Sequence, residues 1–193
     1  MIRVLDETDR DAWVDLGRDA ILDRDLPALV DSFSPCMDRA GLRARLELDP
    51  QTILLGALSD NPATTDAREF SFLLGLLSAA GYRVAGLLPA SARYISPARR
   101  HHRALHEPFR IFTTTDPILA NLPAIDLMLH INHHPSGSAH LLERLCENAG
   151  TPVMRLTHAG RKGLACSPGE SVQLIQRFDQ LVRERMGIGG DDR

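Results

Sequence analysis

Five short apolar runs, separated by amphipathic stretches that end in glycine or contain proline, restrict this chain to few folds. They are TILLGAL (52–58), YRVAGLLP (82–89), FRIFTT (109–114), DLMLHIN (126–132) and PVMRLT (152–157). Runs this short, bounded by turn residues, are the pattern of strands covered on both faces. Between the first two lies AREFSFLLGLLSAAG, in which Phe70, Leu73, Leu74 and Leu77 share a helical face and Gly81 stops the helix. SGSAHLLERLCENAG precedes the fifth run and is stopped by Gly150, and Ser167 to Met186 supplies a last helix opening with SPGE. Alternating strands and helices predict the α/β class: a single Rossmann-like domain with a mostly parallel sheet of about five strands and a helical N-terminal arm. The expected boundaries are residues 1–48 for the arm, 49–187 for the Rossmann-like domain and 188–193 for a flexible tail, GIGGDDR.

The arm differs in texture from the rest. Trp13, Leu16 and Ala20 recur at helical spacing, which predicts a helix from Thr8 to Asp23. Pro27 and Pro35 then punctuate two shorter helical pieces, Leu26 to Phe33 and Met37 to Leu46. At 193 residues, with 44% hydrophobic and 24% charged, the chain fits one domain with an adequate core rather than a disordered segment. A net charge of -3 with no basic stripe excludes a nucleic-acid footprint. The N-terminus carries acidic residues where a secretory signal needs an apolar core, and no apolar run approaches the roughly 20 residues of a membrane span. A cytoplasmic protein is expected. Cys36, Cys146 and Cys166 are odd in number and far apart, which argues against a disulfide framework. Cys146 falls on the apolar face of its helix, whereas Cys36 and Cys166 stand beside prolines in expected loops.

In parallel sheets, ligands collect beyond the carboxyl ends of the strands. Four segments should meet there: SDNPATTD, PASARYISPARRHH, TTTDP and NHHPSGS. SDNPATTD has no glycine and no Gly-Lys-Ser/Thr, so it is a helix start capped by Thr64, Thr65 or Asp66 rather than a phosphate cradle. Arg99 to His106, RRHHRALH, concentrates three arginines and three histidines; Arg99, Arg100 and His101 suit an anionic group or an acidic partner. His130, His133 and His134 converge on the end of the fourth run and suit ligand or metal contact. Adjacent His133 and His134 point apart and no HExxH is present, so the competing reading is an ordinary strand-to-helix junction. Ser136 and Ser138 suit a helix cap, since PSGSA is not a G-x-S-x-G elbow.

The order TILLGALSDN, helix, GYRVAGLLPASARYISP, EPFRIFTTTDPILANLPAIDLMLHINHHPSGSAHLLERLCENAGTP resembles the nitrogenase component 1 superfamily. It is most similar to one domain of the N subunit of light-independent protochlorophyllide reductase. Gly56, Gly81, Pro89, Pro108-Phe109 and Gly150-Thr151-Pro152 carry the likeness, over roughly Leu48 to Met186. The resemblance implies a small accessory subunit of a reductive metalloenzyme system, offering a docking surface or pocket for a metal cofactor or tetrapyrrole. It also implies a larger nitrogenase-like subunit, or a second copy, as partner. Any iron–sulfur cluster or metal cofactor would be shared with that partner, because Cys36, the one cysteine before the sheet, supplies a single thiolate. Two other readings stand beside it: a regulatory domain that binds an anionic small molecule, and a hydrolase or transferase with histidines as acid and base.

Overall fold

A computed structural model describes residues 2–4, 20–22, 38–58, 65–116, 118–132, 143, 145–157 and 168–186. Two three-residue strands, β1 (Ile2–Val4) and β2 (Ala20–Leu22), pair in parallel, with Ile2 opposite Ala20. Helix α1 (Arg39–Arg45) follows, capped by Asp38, whose carboxylate accepts from the Gly41 N–H at 2.7 Å. Next come β3 (Ile53–Leu58), α2 (Ala67–Ala79), β4 (Val84–Pro89), α3 (Ile95–Leu105) and β5 (Arg110–Thr114). A seven-residue 3-10 segment, Ile118–Ala124, leads to β6 (Leu127–Asn132), then β7 (Val153–Thr157) and the long α4 (Pro168–Met186). Residues 143 and 145–148 are helical.

The five main strands form one sheet in the order β5-β4-β3-β6-β7, with every pairing parallel. This is the Rossmann-like α/β arrangement expected from the apolar runs. Each strand begins and ends within two residues of its run. The chain starts in the middle, builds outward to β5, then returns to β3 and builds the other way, so the direction of winding reverses between β3 and β6.

Both faces of β3 and β4 are buried along their whole length. Side chains alternate across the sheet. Ile53, Leu55 and Ala57 join Phe70, Leu73, Leu74 and Leu77 of α2 and Leu174, Phe178 and Leu181 of α4 in one core. Leu54 and Leu58 join Leu42 of α1, Ile118 and Leu122 of the 3-10 segment, and Cys146 in a second core on the other face. Tyr82 ties α4 to the first layer through an edge-on contact with Phe178, ring centroids 4.9 Å apart, and a 2.8 Å hydrogen bond to Asp179.

At the amino edge a polar clamp holds α1. The Asp126 carboxylate accepts from the Leu54 N–H at 2.7 Å and from Arg43 at 3.1 Å. The other terminal nitrogen of Arg43 donates to the carbonyls of Asp49 and Thr52 at 2.9 and 2.7 Å. One guanidinium thereby satisfies carbonyls at the entry to β3, where the ladder has not yet begun.

Gly81 ends α2 with φ +94°, the left-handed geometry that glycine adopts without steric cost. Asp66, one of three cap candidates, is the cap of α2. The arm departs from expectation at Ala20–Leu22, which is strand rather than helix. Those three consecutive apolar residues serve a paired strand as well as they serve a helical face, so spacing alone did not separate the two. The expected piece Leu26 to Phe33 and the tail 188–193 lie outside the described residues. The helix expected from Met37 to Leu46 is α1, shortened to Arg39–Arg45.

Gly86 gives a direct test of the packing. A Cβ there would come within 2.4 Å of the Phe70 ring and 2.6 Å of Leu74. Gly86→Ala should cost about 1–3 kcal/mol by overpacking, read as a lowered urea midpoint. Combined with Phe70→Leu, it should cost less than the sum of the two single changes, because the smaller side chain makes the room the methyl needs.

Candidate functional site at the carboxyl edge of the sheet

The carboxyl ends of the strands present two polar clusters, one on each side of the winding reversal. On the β4 and β5 side, the chain entering α2 and the chain leaving β4 pair as a short parallel bridge between Asp66 and Arg93. The Ala67 N–H donates to the Arg93 carbonyl at 3.0 Å and the Arg93 N–H to the Thr65 carbonyl at 2.8 Å. Asp66 caps α2 by accepting from the Arg68 N–H at 2.8 Å, and it receives the Arg68 guanidinium on both oxygens, at 2.7 and 3.2 Å. Burial pushes the Asp66 carboxyl up, but the hydrogen bonds and charge of Arg68 outweigh it and hold the group below the usual carboxylate range.

Arg68 also stacks over the ring of Tyr94, 3.7 Å from its centroid, while Arg93 approaches the same ring at 5.1 Å and donates to its hydroxyl at 3.1 Å. Tyr94 precedes α3 with φ +61°, a conformation uncommon for a residue with a side chain. Farther along, Arg99 donates to the Thr113 hydroxyl at 3.0 Å. The Thr114 hydroxyl accepts from the Asp116 N–H at 3.0 Å, turning the chain after β5.

On the β6 and β7 side the cluster is buried. Leu129 and Ile131 face the first core, so His130 between them faces the second layer. There its Nδ1 lies 2.8 Å from an oxygen of Glu143. Glu143 in turn receives Arg155 on both oxygens, with Nε at 2.7 Å. Arg155 is the register partner of His130 in the β6–β7 ladder, which is why the two reach one carboxylate. Burial pushes Glu143 up, but hydrogen bonds from Arg155 and His130 outweigh it and hold the carboxyl below its ordinary range. The same carboxylate raises Arg155. Cys146, one helical turn beyond Glu143, is fully buried as its apolar face predicts; burial pushes its thiol up to about 12, which leaves it un-ionised at neutral pH.

His130, 1% exposed, belongs to the β6–β7 cluster, on the side of the sheet opposite α3, and Arg99, Arg100 and His101 ride on α3. Of the four candidates among the described residues, His130 therefore stands on the opposite face of the sheet from Arg99, Arg100 and His101. His133, His134 and Cys36 lie outside the described residues, as do residues 59–64, which follow β3 in the chain. Among the described residues, no three His, Cys, Asp or Glu side chains gather as a metal site would require. No helix among them is long and apolar enough to cross a membrane.

Sequence reading missed Glu143 and Arg155. The signals were present: an acid inside HLLERLC and an arginine inside the strand PVMRLT are charges at positions where burial demands a partner.

Neither a family model nor a curated protein matches the chain. Among solved structures it is similar to the glycosyl transferase family 9 protein of Veillonella parvula DSM 2008, at 13% identity and a TM-score of 0.46. That alignment covers 76% of this chain and 51% of the other, so the chain spans about half the length of that protein. A likeness of this size carries no functional argument. The comparisons nevertheless correct the expected kinship with nitrogenase component 1: no family model, of that superfamily or of another, matches the chain. An accessory role in a reductive metalloenzyme, a tetrapyrrole or metal-cofactor pocket, a nitrogenase-like partner and the alternative of a regulatory domain for an anionic small molecule are withdrawn with it. Local physics accounts for several of the residues that carried the resemblance. Gly56 admits Met128, whose sulfur would lie 2.3 Å from a Cβ, and Gly81 and Gly150 adopt positive φ after helices. Parallel sheets of any family need such positions.

The buried network has a measurable signature. Glu143→Gln should cost roughly 3 kcal/mol at pH 7, the lower end for breaking a buried ion pair, because half-exposed Arg155 can turn to water. A carboxyl held low in the folded state stabilises above its unfolded pKa and stops doing so as pH falls through its folded value. The gap in urea midpoint between wild type and Glu143→Gln should therefore be full at neutral pH and shrink below about pH 4.

Proposed function

We propose that this protein binds an uncharged polar small molecule, bearing hydroxyl groups, in the crevice outside the carboxyl ends of β3 and β6. The observation that carries the reading is the strand order. In a doubly wound parallel sheet the loops on either side of the reversal diverge to opposite faces and leave a crevice between them, where ligands of such folds bind. Here those loops are residues 59–64 and the segment beginning at His133, and their sequences SDNPAT and HHPSGSAH hold a carboxylate, an amide, hydroxyls and imidazoles. His133 and His134 are the proposed contacts, with Asp60 of the segment after β3 as a third.

His130 has a different part. Its burial and its bond to Glu143 suit it to fixing the end of β6, from which His133 and His134 depart, rather than to exchanging protons with a ligand. Arg99, Arg100 and His101, on the far side of the sheet, are left out of this site.

The test is a thermal-shift screen with nucleosides, free sugars and other uncharged hydroxylated metabolites, followed by variants. At least one compound class should raise Tm by several degrees at saturation, as a ligand at about 100 times its Kd adds about 2.7 kcal/mol. The shift should vanish in a His133→Ala/His134→Ala double variant and weaken in Asp60→Asn. No shift with any class, or a shift that survives both variants, overturns the proposal.

A further inference from the structure

Strand β5 is an edge of the sheet: β4 pairs with one side of it and, among the described residues, nothing pairs with the other. The Ala90 N–H donates to the Thr114 carbonyl at 2.7 Å, so Thr114 turns its backbone groups toward β4. Backbone groups alternate in direction along a strand. Arg110 and Phe112 therefore also face β4, and the N–H and C=O of Ile111 and Thr113 point outward. Among the described residues, no backbone hydrogen bond reaches these four groups. Ile111, Phe112 and Thr113 are partly buried, as an edge open on one side requires. Two donors and two acceptors at strand spacing are a template for one further strand. Few of the usual devices blunt this edge: β5 contains no proline, pairs with β4 over its whole length without a bulge, and has one charge, Arg110, at its start.

The side chains identify the strand that fits. We infer that β5 pairs antiparallel with β5 of a second copy of this chain, about a two-fold axis at Phe112, so that the two sheets join edge to edge. In this register Ile111 lies opposite the partner's Thr113, and the two exchange both backbone bonds. The axis repeats the exchange, so every outward group of both strands is satisfied. Phe112 meets the partner's Phe112 as a non-hydrogen-bonded pair, the position at which side chains across two strands approach most closely. Phe112 is packed against the second core only in part, so an aromatic pair there buries ring surface that a single copy leaves open. The charges agree with the same register. Arg110 lies over its own Phe112 ring, 4.8 Å from the centroid, and comes diagonal to the partner's Asp116, just past the end of β5. Its nearest carboxylate within the chain is that of Glu47 at 3.8 Å, which is 83% exposed. An edge with a positive charge at one end and a negative charge beyond the other is complementary to itself when antiparallel. A parallel copy would set like charges side by side, and neither a wholly acidic nor a wholly basic segment would satisfy both ends.

The test is sedimentation of the full chain over a range of concentration, with variants. So short an edge buries little area, and a dimer with a Kd in about the micromolar range is expected. Thr113→Pro removes an outward N–H and leaves the ladder to β4 whole, which is the one place a sheet edge accepts proline. It should weaken the dimer ~10-fold or more, with a small fall in Tm because the hydroxyl that Arg99 bonds is lost as well. Arg110→Asp and Asp116→Arg should each weaken the dimer about 5-fold by setting like charges across the axis, and the double variant should recover wild-type affinity. Residue-resolved hydrogen exchange should slow at Ile111 and Thr113 as concentration rises and stay unchanged at Phe112, whose N–H β4 already holds. A monomer at about 1 mM, a dimer that all three single variants leave intact, or protection that arises elsewhere than at Ile111 and Thr113 overturns the inference. So does a monomer that binds an extended acidic peptide at those two amides, which would give the edge to another protein. The crevice variants at His133 and His134 should leave the dimer intact, so this edge and the carboxyl-edge site stand or fall separately.

Discussion

Phe70 lies against β4 at the one position where that strand has no side chain. Gly86 leaves room for the ring on one face, and Gly56 in the neighbouring strand leaves room for Met128 on the other. The two central strands thus lose side-chain volume on opposite sides and in adjacent register, Leu55 opposite Gly86 and Gly56 opposite Leu87. Close packing tolerates neither a void nor an extra methyl group at such points. The layers above and below are therefore fixed in height over the middle of the sheet, and everything positioned by α2 or by the 3-10 segment inherits that spacing.

Two ionic clamps then fix the ends. At the amino edge Asp126 and Arg43 join α1 to the start of β3; toward the carboxyl edge Glu143 and Arg155 join β7 to the helical residues beneath it. They differ in consequence. Arg43 and Asp126 serve backbone groups that would otherwise have no partner, so their role is to complete the ladder. Glu143 serves two side chains, one buried and one half exposed, and it sets the orientation of His130 near the end of β6. A neutral isostere at Glu143 removes orientation as well as charge.

Legibility followed burial. The five strands and α2 were readable because apolar side chains at fixed spacing have only one way to leave water, and Asp66, Gly81 and Cys146 followed from capping and packing rules with the same basis. The strand Ala20–Leu22 was not readable, since a triplet is too short to show a period. The site was legible only in placement. His130 was picked out as a candidate contact, but its orientation depends on Glu143 and Arg155, thirteen and twenty-five positions away in the chain, and no local pattern announces that meeting. The family resemblance failed because its motifs were glycines and prolines at strand and helix ends, which the geometry of parallel sheets demands whatever the ancestry.

The bridge between Asp66 and Arg93 also governs how α2 and α3 can move. It fastens the two helices together where both begin, with Arg68 and Tyr94 stacked across the joint, while at the other end α3 runs out at His106 with φ +53° and turns directly toward β5. At that far end α3 is held to the entry of β5 instead, by the edge-on contact of His102 with Phe109, ring centroids 4.7 Å apart, so the helix is fastened to its neighbour at one end and to the sheet at the other.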